Sequence, residues 1–433
     1  MTLQDALHQA LWDTPVLDPH THVNRDRMTA AGLHQIVFYH MQMYMMRGAG
    51  VDELAMWPEQ ECIDRGLPFE QWARVWRLVR RSGFAWILQT ILRDLYGFDE
   101  PPTAESLPRL HEAFKRASDD PGRARRVLER ARVVRLCSSK LDVAPLEPGQ
   151  WDGDIRFTIE DMPLAGKTDY TPWSAHLETL DATLGRDVTS ADDLREAVAA
   201  YYADYDWTGR NALVAWVGAE ADFTPVGDAE INRIIAAARS GGALPLAQRR
   251  LLEAAYIRAI AAVARDNTRV FQFCYGTQYV TPEPQWAHPI QKAAGTFAAT
   301  AGYLFGEFPE LHFNVLNGYE PDEPIWCSLV PAYANVSLSN FWWQTFYPSV
   351  MRRAVQRRLD VVPLNKLVGF FSDGWCVEYV YGRLAMVRRV WADALAERIE
   401  RGLMTRDEAL TTARQVFFET PRELFFPDEP LEE

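Results

Sequence analysis

The sequence predicts an α/β fold: a (β/α)8 barrel of the TIM type, with a helical insertion after the first strand and extra helices at the C-terminal end. Eight short apolar segments end in polar or glycine-containing tips, and helical patterns lie between many of them. Segments that are apolar on both faces are typical of buried parallel strands. Because eight such strands alternate with helices, a closed barrel is favoured over an open sheet.

The predicted strands and helices follow one another along the chain. The helix at 190–205 begins after Ser190, a residue type that caps helix N-termini. Residues 246–266 form a long amphipathic pattern, and 348–360 begins with Pro348, where the first turn tolerates proline. The eight predicted strands are residues 16–23, 133–139, 155–162, 212–220, 270–277, 312–317, 335–341 and 367–373.

The stretch between the first two strands is too long for one crossover connection, so residues 24–131 predict a mainly helical insertion. One helix in it is indicated by apolar residues at the i, i+3, i+4 and i+7 positions of a buried face. These residues are Trp72, Val75, Trp76 and Val79. A further helix is expected around 105–118, and the region 391–425 predicts two more, the second capped by Thr405. No linker long enough to separate a second domain is found, so a single barrel domain over residues 1–433 is expected.

The composition narrows the class of protein. The 433 residues carry a formal net charge of −14, which disfavours nucleic acid and anionic membrane surfaces as partners. No run of 18 apolar residues marks a membrane span, and the N-terminal stretch lacks the basic region of a secretory signal. The five cysteines are scattered and form no CxxC pair, which suits a reducing compartment. We therefore expect a cytoplasmic protein that acts on a small molecule.

The candidate site lies at the strand tips, because the active site of a (β/α)8 barrel is at the carboxyl ends of its strands. The first tip contains Asp18, His20 and His22, which share a face since side chains alternate along a strand. Two imidazoles on one side of a strand can occupy adjacent positions on a divalent ion. The alternative is a pair of surface histidines in a proline-containing turn.

The last predicted strand ends at Asp373, a carboxylate after a strongly apolar run. Because a buried unpaired charge is costly, this residue is expected to have a partner. The first and last strands of a barrel are neighbours, so Asp373 can reach an ion held by His20 and His22 as a ligand, a general base, or both in turn. The alternative is that Asp373 caps the following helix. We expect one divalent ion, Zn²⁺ in the first place, with Mn²⁺ or Fe²⁺ as alternatives.

Other strand tips carry weaker candidates. Cys274 is either a further ligand or a small core residue. Trp342 and Trp343 either wall a pocket or pack the barrel rim, and Asp161 either binds substrate or is solvated. His312 begins its strand, so it is expected at the opposite end of the barrel.

The motif LDPHTH at the first strand tip, together with a lone Asp at the last, resembles the amidohydrolase superfamily and, within it, the uronate isomerase family. The resemblance extends along nearly the whole chain and includes YHMQMYMMRGAGV after the two histidines and NVSLSNFWW at strand seven. It implies one metal ion, a homo-oligomer, and an isomerase of carbohydrate metabolism that interconverts the aldose and ketose forms of a sugar acid. The implied site comprises catalytic Asp373 and His40, metal ligands His20, His22 and Asp373, and substrate-binding Arg47, Asp161, Trp342 and Trp375.

The sequence also departs from the family pattern. The family's strand eight ends Thr-Asp-Ser-Arg, where this chain has Gly374 and Trp375 in place of the Ser and the Arg. Its Arg at the tip of strand three is missing, with Asp161 retained, and the His of its Gln-Leu-His strand is Cys274. Arginine binds a carboxylate through two hydrogen bonds, a geometry that Trp and Glu do not reproduce. The metal-binding motif is therefore kept while the carboxylate-binding arginines are largely lost.

Three functions fit this pattern. The first is aldose–ketose isomerisation of a sugar acid, with proton transfer assisted by the metal. The second is a hydrolase, deaminase or lyase of the same superfamily with one metal ion, acting on a flatter and less anionic substrate. A two-metal hydrolytic site is not expected, because the predicted strands lack the extra Lys or Glu and the extra histidines of such relatives. The third is a catalytically inactive relative that serves as a binding protein.

Overall fold

The computed structural model describes residues 2–24, 27–39, 41–51, 69–139, 154–157, 159–161, 172–205, 207, 210–217, 220–278, 290–291 and 296–427. The described strands are β1 (Val16–Thr21), β2 (Val133–Ser138), β3 (Asp154–Phe157), β4 (Ile159–Asp161), β5 (Ala212–Trp216), β6 (Val270–Tyr275), β7 (Thr277–Gln278), β8 (Ile290–Gln291), β9 (His312–Asn317) and β10 (Val336–Phe341).

Helices connect and surround these strands. In chain order they are α1 (Leu3–Asp13), α2 (His34–Val37), α3 (Met41–Gly48), α4 (Phe69–Val79), α5 (Gly83–Tyr96), α6 (Leu107–Ser118), α7 (Arg123–Ala131), α8 (Trp173–Leu184), α9 (Ala191–Tyr201), α10 (Asp228–Arg239), α11 (Leu246–Asn267), α12 (Phe297–Glu307), α13 (Glu323–Leu329), α14 (Pro348–Val361), α15 (Val377–Glu400), α16 (Arg406–Arg414) and α17 (Thr420–Phe425). A π-helical turn, Gln415–Glu419, joins α16 to α17.

The larger strands pair in parallel, and the predicted α/β fold is confirmed. One sheet has the order β1-β2-β3, and a second has the order β10-β9-β6-β5-β4. Strands β3 and β4 lie on either side of residue 158, and each joins a different sheet. The predicted strand at 155–162 is thus two short strands. The pair β7 and β8 forms a separate two-stranded antiparallel sheet.

The predicted eighth strand, 367–373, connects the two parallel sheets without forming a regular strand. At its beginning, the Val368 N–H donates to the Leu338 carbonyl of β10, over 3.0 Å. At its end, the Asp373 N–H donates to the His20 carbonyl of β1, over 2.9 Å. The segment therefore places Asp373 beside the tip of β1, which is where the sequence predicts it.

The middle of this segment bonds to the C-terminal helices instead of to a strand. The Gly369 N–H donates to the Val416 carbonyl over 2.7 Å. A Cβ at position 369 would lie 2.8 Å from the Val416 side chain, so only glycine lets the helix approach this closely. This contact takes the hydrogen bond that a regular strand ladder would have used. Closure into an eight-stranded barrel stays a prediction.

The amino ends of the strands enclose an apolar layer covered by the C-terminal helices. Phe418, Phe425 and Phe426 form one cluster there with residues of the parallel strands and of the 367–373 segment. These residues are Leu17, Cys137, Ala212, Val270 and Val368. The layer closes one end of the interior, and the buried polar side chains of His20 and Asp373 lie toward the carboxyl ends of the strands.

The helical insertion is anchored to α15 by one buried carboxylate. Glu378 accepts hydrogen bonds from the Tyr96 hydroxyl at 3.1 Å, from Arg123 Nε at 3.2 Å and from the Ala30 N–H at 3.1 Å. The predicted apolar face of α4 is buried, as expected from its spacing. These contacts hold the insertion against α15, although the two are distant in sequence.

The predicted helix starts are confirmed at three positions. Ser190 Oγ accepts from the Asp193 N–H at 3.1 Å, and Thr405 forms a capping box with Glu408. Pro348 occupies the first turn of α14, where its missing N–H costs no hydrogen bond. In the part of the chain that the structure describes, no helix combines the length and apolar character needed to cross a bilayer.

Candidate metal centre

Three side chains converge at the carboxyl ends of β1 and of the 367–373 segment. His20 lies near the end of β1, His22 follows that strand, and Asp373 ends the segment. The Nε2 atom of His22 lies 3.1 Å from Asp373 Oδ1, and the Nε2 atom of His20 lies 3.4 Å from the same oxygen. One ligand atom from each residue falls within 4.8 Å of the others, a spacing that fits a single metal ion.

His20 is held by a buried amide. Its ring is 2% exposed, and its Nδ1 atom lies 2.7 Å from Gln272 Oε1 of β6. An amide oxygen only accepts, so the hydrogen of this bond belongs to Nδ1 and the lone pair of the ring is on Nε2. Among the described residues, Nε2 makes no hydrogen bond. The nitrogen facing Asp373 is therefore the one available to a metal ion.

His22 is more accessible than His20, and β2 orients it. Its Nδ1 atom lies 2.7 Å from the Ser139 hydroxyl, which follows the last residue of β2. Its backbone N–H donates to the Gly374 carbonyl over 2.9 Å. The ring of Trp375 lies 6.2 Å from the ring of His22. This imidazole therefore forms the side of the cluster that faces the exposed Trp375.

Asp373 has a left-handed backbone, with a φ of +52°, which non-glycine residues rarely adopt. The Tyr39 hydroxyl donates to its carbonyl oxygen at 2.8 Å, and Arg383 Nη1 lies 3.2 Å from its Oδ2. The alternative that this carboxylate caps the next helix is wrong, because it faces His20 and His22 and no side chain caps α15.

The charge state of Asp373 follows from these contacts. Burial raises the pKa of its carboxyl, but the hydrogen bond with His22 and the Arg383 guanidinium outweigh burial and hold this pKa well below its usual range. The carboxylate is thus ionised at neutral pH. An ionised carboxylate beside two imidazoles is a ligand set typical of Zn²⁺ and shared by other first-row divalent ions.

Asp18, on β1, precedes His20 and His22 and serves a different role from theirs. Its Oδ1 atom accepts from the Ser372 N–H at 2.9 Å, which ties β1 to the segment that carries Asp373. Burial raises the pKa of the Asp18 carboxyl to about 7, against the effect of hydrogen bonds from Ser372 and His20. This residue therefore supports the two elements that present the candidate ligands.

The predicted substrate-binding residues are not equally placed. Trp375 is 39% exposed beside His22, whereas Trp342 is 3% exposed and packs with Cys274 in an apolar cluster. This packing fits the interpretation of Cys274 as a small core residue. Arg47 is half-buried near the end of α3, with its guanidinium carbon 5.7 Å from the centre of the Tyr44 ring.

Two other predicted site residues fall outside what the structure describes in full. His40 lies outside the described residues. For Asp161 the backbone is described, and it pairs with Ala215 of β5 at the end of β4, but its side chain is not. Their predicted roles stay predictions.

Several contacts of the cluster were not predicted as functional. Gln272 lies two residues before Cys274 on the same face of its strand. Its bond to His20, however, depends on how the two sheets meet. Ser139 ends a predicted strand, which is a weak signal. Tyr39 and Arg383 lie in helical regions, where nothing in the sequence marks them as partners of Asp373. Tertiary contacts, not local patterns, bring these residues to the site.

Two curated relatives of this chain are uronate isomerases. The protein of Thermotoga petrophila is 21% identical over 436 residues, which cover 96% of this chain and 95% of the relative. The protein of Rhizorhabdus wittichii is 24% identical over 392 residues, which cover 84% of this chain and 79% of the relative. No family model matches the chain.

Solved structures give a consistent result. The glucuronate isomerase of Caulobacter crescentus superposes with a TM-score of 0.78 at 17% identity, covering 99% of this chain and 95% of the other. A protein of Lactobacillus casei named as a metal-dependent hydrolase superposes with a TM-score of 0.52 at 12% identity, covering 98% of each chain. The resemblance to uronate isomerases inferred from the sequence is therefore confirmed over nearly the full length.

Proposed function

We propose that this chain is a metal-dependent isomerase that interconverts the aldose and ketose forms of a sugar acid, as the uronate isomerases it resembles are named for doing. The observation that carries the proposal is the cluster of His20, His22 and Asp373 at the carboxyl ends of parallel strands. The nearly full-length similarity to uronate isomerases supports the same reaction. The two imidazoles and one ionised carboxylate supply the chemistry that this reaction needs.

The proposal includes a closed barrel. The 367–373 segment bonds to β10 at one end and to β1 at the other, and β3 and β4 run on from one sheet to the next. These contacts support a (β/α)8 arrangement in a single domain, with residues 24–131 as its helical insertion. In such a barrel the carboxyl ends of the strands form the active-site face, which is where the cluster lies.

The metal ion would be held by His20, His22 and Asp373. We propose Zn²⁺ in the first place, with Mn²⁺ and Fe²⁺ as alternatives, because nitrogen and carboxylate ligands suit all three ions. A divalent ion held by these residues would supply Lewis-acid chemistry to the substrate. The Nδ1 bonds of the two histidines, to Gln272 and Ser139, hold both rings with Nε2 toward the cluster.

Asp373 is the proposed proton carrier. It is ionised at neutral pH, so it can accept the proton from the hydroxyl-bearing carbon beside the carbonyl and return it to the former carbonyl carbon through an enediol, while the hydroxyl proton passes to the former carbonyl oxygen. Tyr39 and Arg383 hold its backbone and carboxylate in place while it does so. His40 is the second proposed catalytic residue, on the strength of the family resemblance.

The substrate is proposed to bind between the cluster and an aromatic wall. Trp375 contributes apolar surface beside His22, and Arg47 and Asp161 are the proposed polar contacts. Because Trp375 stands where the family has an arginine, the carboxylate of the substrate loses one bidentate partner. We therefore propose weaker binding of simple uronates than the family pattern would give.

Two measurements test this function. Protein purified without chelator is expected to contain close to one equivalent of Zn, Mn or Fe by elemental analysis. A panel of hexuronates assayed for ketose formation is expected to give turnover with at least one. A protein that holds metal but turns over none of the uronates would overturn isomerisation, whereas a protein without metal would overturn both enzymatic proposals and leave a binding role.

A second candidate function is a hydrolase, deaminase or lyase with one metal ion. The observation that favours it is Trp375, 39% exposed beside His22, in the position of the family's arginine. An aromatic wall favours a flatter and less anionic substrate than a uronate. The similarity of fold to a protein named as a metal-dependent hydrolase is consistent with this candidate. Turnover of neutral amide or ester substrates, without turnover of uronates, would decide for it.

The remaining proposals concern the setting of the enzyme. A net charge of −14 and the small cluster support a small-molecule substrate over nucleic acid or a membrane surface as partner. The scattered cysteines support a cytoplasmic location. A homo-oligomer is proposed from the family resemblance, and light scattering of the purified protein tests it.

A further inference from the structure

A line of buried polar side chains crosses the interior from the candidate metal centre to the far side of the parallel strands. It begins at His20, whose Nδ1 atom lies 2.7 Å from Gln272 Oε1. Gln272 Nε2 donates to Asn314 Oδ1 at 3.0 Å, and Asn314 Nδ2 donates to Ser337 Oγ at 2.8 Å. These residues stand on β1, β6, β9 and β10, so the line connects four strands.

The line is closed at its far end. Ser337 Oγ lies 2.8 Å from His312 Nε2 at the start of β9, and the Ser339 hydroxyl donates to Asn314 Oδ1 at 2.8 Å. Gln272, Asn314, Ser337 and Ser339 are all 0% exposed, so water does not compete for these bonds. Each amide in the line therefore has its orientation fixed by protein partners alone.

The direction of the line decides which atom faces His20. Because Gln272 donates through Nε2 to Asn314, its oxygen must point to His20. A rotated Gln272 amide would set its oxygen against the Asn314 oxygen, with no hydrogen between two acceptors. Rotating Asn314 as well would require the bond that it donates to Ser337 and the bond that it accepts from Ser339 to reverse with it. The bonds beyond Gln272 thus oppose the rotated state.

We propose that Gln272 is a positioning residue that fixes the ligating form of His20, and that Asn314 and Ser337 hold Gln272 in the orientation this requires. An amide oxygen at Nδ1 places the imidazole hydrogen there and leaves the lone pair on Nε2. This is the form in which His20 can bind a metal ion, because the second nitrogen of a ligating histidine is set by its own hydrogen bond. The inference rests on the metal site of the proposed function.

The first test uses the wild-type chain without metal. In protein labelled with 15N-histidine at pH 8, the imidazole nitrogen shifts of His20, assigned by comparison with a His20→Asn sample, are expected to show the hydrogen on Nδ1. A hydrogen on Nε2 of His20 would overturn the inference. This measurement needs no variant of Gln272 to fold and no metal to bind.

The second test is the affinity for Zn²⁺ by competition titration. Gln272→Met keeps the volume of the side chain but removes its oxygen, and is expected to weaken Zn²⁺ binding about 10- to 100-fold. Gln272→Glu keeps an acceptor at Nδ1 but loses the donor to Asn314, so it is expected to recover only part of the affinity that Gln272→Met loses. Gln356→Met is the matched control, because this amide donates to Ala394 on the outer helices.

The outcomes separate the inference from the function. Unchanged Zn²⁺ affinity in folded Gln272→Met, or equal losses in Gln272→Met and Gln356→Met, would overturn the role of Gln272. A wild-type chain that binds Zn²⁺, shows the Nδ1 hydrogen on His20 and turns over no uronate would leave the inference standing and overturn isomerisation.

Discussion

His312, which lies outside the candidate metal centre, is a buried histidine whose protonation makes the stability of the protein depend on pH. Burial lowers the pKa of this imidazole from 6.5 to about 4, with further contributions from the charges of Lys366 and Arg269. Its Nε2 atom lies 2.8 Å from the Ser337 hydroxyl. The folded protein therefore keeps His312 neutral at pH values where the unfolded chain protonates it.

The sign and size of the effect follow from linkage between protonation and folding. Well above pH 6.5 the imidazole is neutral in both states and contributes no pH dependence. As the pH falls from 6.5 towards 4, the unfolded state binds a proton that the folded state does not, so stability decreases. From pH 7.5 to pH 5 this group is expected to lower the free energy of unfolding by about 2 kcal/mol.

The assay is denaturant unfolding followed by circular dichroism, for wild type and for His312→Gln, at pH 7.5 and pH 5. Glutamine retains a hydrogen-bonding group for Ser337 but does not titrate. The variant is expected to lose about 2 kcal/mol less than wild type over this interval. Other groups, including the Asp18 carboxyl, change both proteins alike and cancel in the comparison. Equal losses of unfolding free energy in wild type and His312→Gln would refute the reasoning. Lys366→Met should lose an amount between those of wild type and His312→Gln.

Three further predictions follow from the structure. Removing bound metal with a chelator should lower the free energy of unfolding, by about 2.7 kcal/mol if the free ion had been at 100 times its Kd; an unchanged Tm would contradict the metal site. Arg358 forms two buried hydrogen bonds to Glu323, so Arg358→Met should lower the free energy of unfolding, measured with denaturant, by about 3–5 kcal/mol. Adding Glu323→Gln to this variant should recover part of the loss. Arg47→Met should raise the KM for a uronate several-fold without changing the bound metal; equal KM values in the two proteins would remove Arg47 from the substrate site.

Local sequence patterns predicted the elements that depend on local physics. The strand expected at 312–317 is observed as His312–Asn317, and the apolar spacing in α4 identified its buried face. Ser190 and Thr405 cap the helices that they were predicted to cap, because a cap needs only its own neighbours in sequence.

The eighth segment shows where such patterns stop being sufficient. Its apolar composition predicted a regular strand at 367–373, but Gly369 gives its N–H to Val416 in the C-terminal helices. No local pattern contains that information, because the partner lies more than forty residues away. The position of Asp373 was nevertheless predicted correctly, since only the end of the segment needs to meet β1.

The candidate site divides in the same way. The nearness of His20, His22 and Asp373 was predicted from strand periodicity and from the expectation that the first and last predicted strands are neighbours. Gln272 and Arg383 reach these residues through contacts between distant elements, which one sequence does not reveal. Trp342 could either wall the pocket or pack the rim, and burial decides for packing, since it is 3% exposed beside Cys274.

The charges near the cluster bear on which substrate can bind. Arg383 is 0% exposed, pairs with Asp373 and lies with its guanidinium carbon 4.2 Å from the centre of the Phe346 ring, so its charge is paired with the Asp373 carboxylate. Arg383 is therefore no substitute for the arginine that Trp375 replaces. Arg47 lies instead near Tyr44, whose ring stacks 6.4 Å from Trp343. Under the proposed function, we expect an anionic substrate to find its counter-charge in a bound metal ion and Arg47 and its packing against aromatic side chains, so that proton transfer is kept while carboxylate recognition is weakened.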